Sequence, residues 1–239
     1  MIVDFNYQPV LEDYKKNYDM KLGSILKILE NSGSRHSDTV GDGILDGSNN
    51  GIAWVLTDWL IDVITYPKYG DKILAKTWSE PVNHPFICTR DFEMYCNDSL
   101  SVKGTTKWIL LDLNTNRPCK LTQELIDKYQ PEDKHTYEDT KLPKLIVPES
   151  FSRETPVSIR RLDIDFNNHV HNLTYLDYAL EALPEDVFES RNFKKLRISY
   201  KLAVKKGEEI ICKYAFAEGK HICCIFDKEN NLKTQIEFE

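Results

Sequence analysis

Within the ten residues DIDFNNHVHN lie Asp163, Asp165, Asn167, Asn168, His169, His171 and Asn172. This is too polar for a strand core, and it stands just before an apolar stretch with helical spacing. Asp, Asn and His also form turns and caps, so a capped loop entering a helix would account for one or two of them. The cluster supplies more titratable groups than a cap needs. A helix N-terminus offers unpaired N–H groups and a partial positive charge. Such donors can polarise an acyl carbonyl and hold the oxyanion formed when water attacks it. A carboxylate or imidazole in the same turn can take the proton of that water, help worth about 10² to 10⁴ in rate. The chemistry that fits is hydrolysis with neither metal nor organic cofactor.

The elements that must position this turn follow from periodicity. NLTYLDYALEALP predicts a helix with Leu173, Leu176, Leu180 and Leu183 along one face, closed by Pro184. TPVSIRRLDID before it is strand-like. FKKLRISYKLAV, EEIICKYAFAE, HICCIFDKEN and LKTQIEFE after it read as strands, with turns at Lys206-Gly207, Gly219-Lys220 and Asn230-Asn231. The first half has the same plan. Leu22, Ile25, Leu26 and Leu29 make one helical stripe, with Gly33 as its expected stop. IAWVLTDWLIDVI suits a strand or a buried helical turn. A turn at Pro67 to Asp71 leads into a strand, and FICTRDFEMYC and LSVKGTTKWILLDL are hairpin arms joined through CNDS. Helix then strands, twice, predicts an α+β chain in which each helix buries its stripe on an antiparallel sheet. Two such units could share a continuous sheet through paired edges. The expected division is 1–130, a polar linker over 131–150 interrupted by KLIVP, and 151–239.

Composition narrows the class. The 239 residues can bury a core, and no apolar run approaches the roughly 18 to 20 residues that span a bilayer. The opening MIVDFNYQPVLEDYKK lacks a basic leader with an apolar region behind it, so the expectation is a cytoplasmic protein. Six cysteines without metal-ligand spacing read as small buried hydrophobes in a reducing compartment, and His36, His84, His135 and His221 have no convergent partners. Trp54, Trp59, Trp78 and Trp108 suit a core or the lining of an apolar pocket equally. A net charge of −7 argues against nucleic-acid binding. Yet RNFKKLRISYKLAVKK carries Arg191, Lys194, Lys195, Arg197, Lys201, Lys205 and Lys206 and no acid, either a solvated face or a dock for an acidic partner.

The register of these residues also resembles a known family. Arg160, Asp163, Asp165, Asn167, His169, Val170, Asn172 and Tyr175 fall in a pattern R-x-x-D-x-D-x-N-x-H-V-x-N-x-x-Y. That pattern is similar to the one leading into the second helix of the acyl-acyl carrier protein (acyl-ACP) thioesterases of plants and bacteria. In the first half WVLTDWLIDVITYPKYGDKILAKTW, RDFEMY and TTKWILLDLNTNRPCKL resemble the same family in the same order. The resemblance implies two tandem hot-dog repeats, each a central helix wrapped by an antiparallel sheet. The N-terminal repeat would bind the acyl chain and set its length, and the C-terminal repeat would be catalytic. It implies Asp165, Asn167 and His169 as the catalytic set, no cofactor, fatty acyl-ACP as substrate in fatty acid biosynthesis, and a monomer or homodimer. Lys194, Lys195 and Arg197 would then dock the acidic carrier. The family's acidic residue three positions past a Tyr, and the Cys that often follows it, are here Ala203 and Val204. An acyl-CoA thioesterase and a non-catalytic acyl-thioester-binding hot-dog protein are the alternatives.

Overall fold

The stripe of Leu22, Ile25, Leu26 and Leu29 becomes the buried face of helix α1 (Leu22–Thr39) in a computed structural model of the chain. The structure describes residues 1–139, 142, 144–190 and 192–239, without the side chain of Ser48. Arg191 of the cationic stretch and three linker positions (140, 141 and 143) therefore lie outside the described residues. Two units result, Met1–Lys141 and Leu142–Glu239.

In the first unit β1 (Val3–Tyr7) precedes α1, and a short α2 (Ile44–Asn49) follows it. Then come β2 (Ile52–Val63), β3 (Ile73–Ser79), β4 (Ile87–Cys96), β5 (Ser99–Asp112), the two-residue β6 (Arg117–Pro118) and α3 (Gln123–Tyr129). The strands pair antiparallel in the order β1-β3-β4-β5-β2, with β6 on β5. The stretch open to two readings, IAWVLTDWLIDVI, is thus a strand. Asn97 and Asp98 turn the β4–β5 hairpin with positive φ (48° and 66°), the twist that joins two-residue hairpins without splaying the strands. Ile25, Leu26 and Leu29 are wholly buried, as are Trp59, Ile61, Phe92 and Met94 of the sheet. Each such side chain contributes about 1.5 to 3 kcal/mol by leaving water.

Gly33 does not end α1. The helix runs on to Thr39, and Gly33 marks its close approach to β4, where an added Cβ would stand 3.3 Å from Arg90 Cδ and 3.5 Å from the Phe92 ring. Its missing side chain serves packing rather than termination.

The second unit comprises β7 (Arg153–Val157), α4 (Thr174–Ala182), α5 (Glu185–Ser190), β8 (Lys195–Tyr200), β9 (Ile210–Ala217), β10 (Lys220–Asp227) and β11 (Leu232–Phe238). Its antiparallel order, β7-β9-β10-β11-β8, is strand for strand that of the first unit. The buried face of α4 is wider than a leucine stripe. Tyr175, Leu176, Tyr178, Ala179, Ala182 and the following Leu183 are buried, while Leu173 and Leu180 are half-exposed. Small Ala179 lets the sheet approach until Cys223 Sγ lies 3.4 Å from its carbonyl oxygen. Each unit is a helix held on an antiparallel sheet, the hot-dog arrangement.

The polar stretch after α3 is fastened at its start. Trp78 Nε1 donates to Lys134 O at 2.8 Å, and His135 Nδ1 lies 2.9 Å from Glu80 Oε1. Thr136 N donates to Asp91 Oδ2 at 2.6 Å, and Lys134 Nζ lies 2.8 Å from Glu93. Near KLIVP no strand forms; Ile146 is exposed and its carbonyl accepts from Gln235 Nε2 at 3.0 Å. No helix among the described residues is long and apolar enough to cross a membrane.

Candidate active site

The polar turn has a double. A 3-10 turn at Leu11–Asp13, a tight turn and the start of α1 in the first unit are repeated by Arg161–Asp163, a tight turn and α4 in the second. Asp13 and Asp163 hold the same place. Asp163 Oδ2 accepts from Arg160 N at 2.8 Å, as Asp13 Oδ2 does from Val10 N at 2.9 Å. Each also gives its carbonyl to a backbone N–H past the turn, from His171 and Lys21 respectively, both at 2.8 Å. Asp163 adds the Arg160 guanidinium at 2.7 Å and the Tyr178 hydroxyl at 2.6 Å and is 2% exposed. Burial alone would raise its pKa, but the hydrogen bonds from Arg160 and Tyr178 outweigh this and hold it below the usual carboxylate range. Asp163 is a structural acid, fully engaged and not available to replace one missing from the site.

The turn itself puts Asp165, Asn167 and His169 on one loop. Asp165 N donates to His169 O at 2.8 Å and Asn168 N to Asp165 O at 3.1 Å, with Asn168 at φ 60°. Asn tolerates that left-handed conformation better than most residues. The Asp165 carboxylate accepts from the backbone N–H groups of Asn167 (2.8 Å) and His169 (3.1 Å), which fixes its direction. Asn167 is exposed, His169 half-buried, and neither side chain hydrogen-bonds another described residue. The carboxylate and imidazole are brought to one turn without bonding each other. The first unit has the same backbone, with Lys15 N to Asp19 O at 2.8 Å and Tyr18 N to Lys15 O at 2.9 Å, but carries Lys15, Asn17 and Asp19.

Behind the turn, Val170 N donates to Val204 O at 2.8 Å, and His169 bridges to Lys205. Ala203, in the place of the family's acid, is exposed, and Val204 is wholly buried. Val204 N donates in turn to the Tyr175 hydroxyl at 2.8 Å, a contact that residue spacing does not reveal. His171 Nδ1 accepts from Leu173 N at 3.3 Å, a local cap at the entry to α4. All six cysteines are free thiols; burial pushes those of Cys88 and Cys224 up to about 12, which makes them inert.

Of the cations expected to dock a carrier, Lys194 and Lys195 are exposed at the start of β8. Arg197 is not: it is 7% exposed and its guanidinium donates to the Ile198 carbonyl. It alternates with the wholly buried Leu196 and Ile198, and its burial on the other face of β8 removes it from any docking surface. Lys201, Lys205 and Lys206 are exposed next to the turn. Trp59 and Trp78 are wholly buried, Trp54 and Trp108 half-buried.

Comparison with known proteins places both units. Residues 3–129 match the acyl-ACP thioesterase N-terminal domain and residues 148–238 the acyl-ACP thioesterase C-terminal domain. Oleoyl-acyl carrier protein thioesterase 1, chloroplastic, of Arabidopsis thaliana is 26% identical over 205 residues, 78% of this chain and 56% of that protein. The chain spans about half the length of the first plant relatives it matches. In fold it is similar to the 12:0-ACP thioesterase from Umbellularia californica (TM-score 0.89, 18% identity, 100% of this chain and 96% of that one). It is also similar to an acyl-ACP thioesterase from Bacteroides thetaiotaomicron (TM-score 0.88, 19% identity, 99% and 96%). With both domain types matched in order over most of its length, the chain belongs to the acyl-ACP thioesterase family.

Proposed function

We propose that this chain hydrolyses the thioester of a fatty acyl-ACP to free fatty acid and holo-ACP. Water adds to the thioester carbonyl, the C–S bond breaks, and the proton lost by the water ends on the departing thiol. The observation that carries the reading is the unlike chemistry of two alike turns. On one shared backbone the second unit presents Asp165, Asn167 and His169, while the first presents Lys15, Asn17 and Asp19. His169, whose imidazole hydrogen-bonds no other described residue, is the group for proton transfer. Asn167 is the group for the developing oxyanion, and Asp165, aimed by two backbone donors, orients the turn and the water.

The division of labour assigns the acyl chain and its length to the first unit (1–130), the chemistry to the second (151–239), and the connection to 131–150. Carrier docking falls to Lys194 and Lys195, with Lys201, Lys205 and Lys206 nearer the turn. A cytoplasmic setting is part of the reading, supported by six unpaired thiols. The test compares kcat/KM on acyl-ACP and acyl-CoA carrying the same acyl chain. The reading expects turnover of both with a clear preference for ACP. Preference for CoA makes the protein an acyl-CoA thioesterase, and binding without turnover makes it an acyl-thioester-binding protein.

A further inference from the structure

The two copies of the turn differ at one contact, which the first unit does without. In the first unit Met20 N donates to Pro67 O at 2.7 Å, and Asp19 bridges to Lys68. In the second, Val170 N donates to Val204 O at 2.8 Å, and His169 bridges to Lys205. The junction between turn and crossing segment is thus the same in both. The first unit makes it with Pro67, which has no N–H, and with the aliphatic Ile25 on the first turn of its helix. The second places Tyr175 where the first has Ile25, and the Val204 N–H donates to its hydroxyl at 2.8 Å.

Tyr175 is 2% exposed and packs edge-on to Tyr178 and Tyr200, with centroids 6.4 and 5.7 Å away. Its own hydroxyl proton has no acceptor among the described residues. Burial, with only partial relief from the Val204 N–H, pushes the group up to about 12, and the charges of Glu208 and Asp165 act in the same direction. The hydroxyl therefore stays protonated at neutral pH. A phenylalanine would fill the same space but would leave the wholly buried Val204 N–H without the acceptor it has in Tyr175. The first unit forms the same junction with neither the N–H nor the hydroxyl. The hydroxyl serves an N–H that the first unit, with Pro67, does not have, and that contact lies next to the residue that pairs with His169.

We propose that Tyr175 is a positioning residue for the hydrolysis: its hydroxyl clamps the Val204 peptide, whose carbonyl holds Val170, and so fixes His169 against the crossing segment. The assignment rests on the hydrolase reading above. A loosened clamp leaves the substrate bound but displaces the imidazole, and displacement of about 1 Å is enough to cost about 10²-fold in rate.

The test uses the full chain as Tyr175→Phe, Val204→Pro and the double variant, with kcat and KM on acyl-ACP and thermal unfolding measured for each. Val204→Pro copies Pro67 of the first unit and removes the donor while leaving Tyr175 in place, so it carries the test if the phenylalanine variant fails to fold. Each single substitution is expected to lower kcat about 10- to 100-fold with KM within about twofold. Tyr175→Phe, which leaves the buried Val204 N–H unpaired, also lowers Tm, whereas Val204→Pro and the double variant remove that N–H. The double variant is expected to be no worse than the poorer single, because both remove one contact. An active wild type whose variants keep full kcat, or whose defects multiply, overturns the positioning role alone. A wild type without turnover overturns the hydrolase reading, and this assignment with it.

Discussion

Asp163 and Asp165 stand two residues apart and do unlike work. Asp163 is buried, bonded by Arg160 and Tyr178, and its counterpart Asp13 makes the same backbone contacts in a unit whose turn carries Lys15 and Asp19 in place of Asp165 and His169. Its role is structural, and its substitution has a predictable cost. Asp163→Asn weakens the bonds to Arg160 and the Tyr178 hydroxyl and should lower stability at neutral pH by about 2 kcal/mol in denaturant unfolding. The depressed pKa sets the sign of the pH dependence: the stabilisation is present above the ordinary carboxylate value of 3.8 and is lost as pH falls through the lower folded value. The gap between variant and wild type should therefore close in acid. A deficit that stays constant down to the acid transition would contradict this account. Asp165, by contrast, is half-buried and bonded only to backbone N–H groups of its own turn. Asp165→Asn should leave stability nearly unchanged and reduce turnover, which paired unfolding and rate measurements separate.

At the scale of elements, the segment after α3 is held on the first unit by a titratable clasp. Glu80 is 6% exposed and lies 2.9 Å from His135. Burial, then the charge of wholly buried Asp91 on the next strand, pushes Glu80 up to about 7, and its contact with Glu80 raises His135. Asp91 Oδ1 has no hydrogen-bond partner among the described residues, and Glu93 and Lys134 complete the charges around the clasp. Both shifts are upward, so the stabilisation is complete below the ordinary glutamate value and is lost as pH rises through about 7. Thermal unfolding should show Tm falling between about pH 5 and about pH 8, and Glu80→Gln should flatten that slope. A wild-type Tm that rises over the range would remove the clasp from the account. These contacts also mark where sequence reading runs out. The stripe of α1, the hairpin turn at Asn97-Asp98 and most strands of both units were legible, because apolar period and turn chemistry are local; β1 and the two-residue β6 were not. α2, α3 and α5 were not, since six or seven residues give too few periods to register. The Gly33 stop failed because a glycine in a helix has two uses, and close approach to Arg90 and Phe92 is a tertiary fact. In the site, Asp165, Asn167 and His169 were legible as a cluster. The burial of Arg197 and the Tyr175–Val204 contact were not, because both depend on what strand pleat and a distant loop bring near. Setting Asp13 and Asn17 beside Asp163 and Asn167 would have exposed the duplicated turn from sequence.

At the scale of the whole molecule, the chain carries −7 net charge yet presents Lys194, Lys195, Lys201, Lys205 and Lys206 exposed along one stretch of the second unit. In the function proposed above, an acidic carrier is drawn to such a strip against the overall repulsion, an effect on encounter more than on chemistry. Lys194→Glu with Lys195→Glu should raise KM for acyl-ACP about tenfold, more steeply at low salt, and leave a small acyl thioester untouched. Equal effects on both substrates would end the docking assignment. The scaffold is built twice, with the groups proposed for hydrolysis on only one of its two turns. The measurement that reaches this claim most directly is steady-state hydrolysis of a panel of acyl-ACPs of varied chain length by wild type and His169→Ala. The account predicts turnover of at least one chain length by wild type and a kcat about 10² to 10⁴ lower in the variant at unchanged stability. Wild-type turnover that survives His169→Ala undiminished would contradict it.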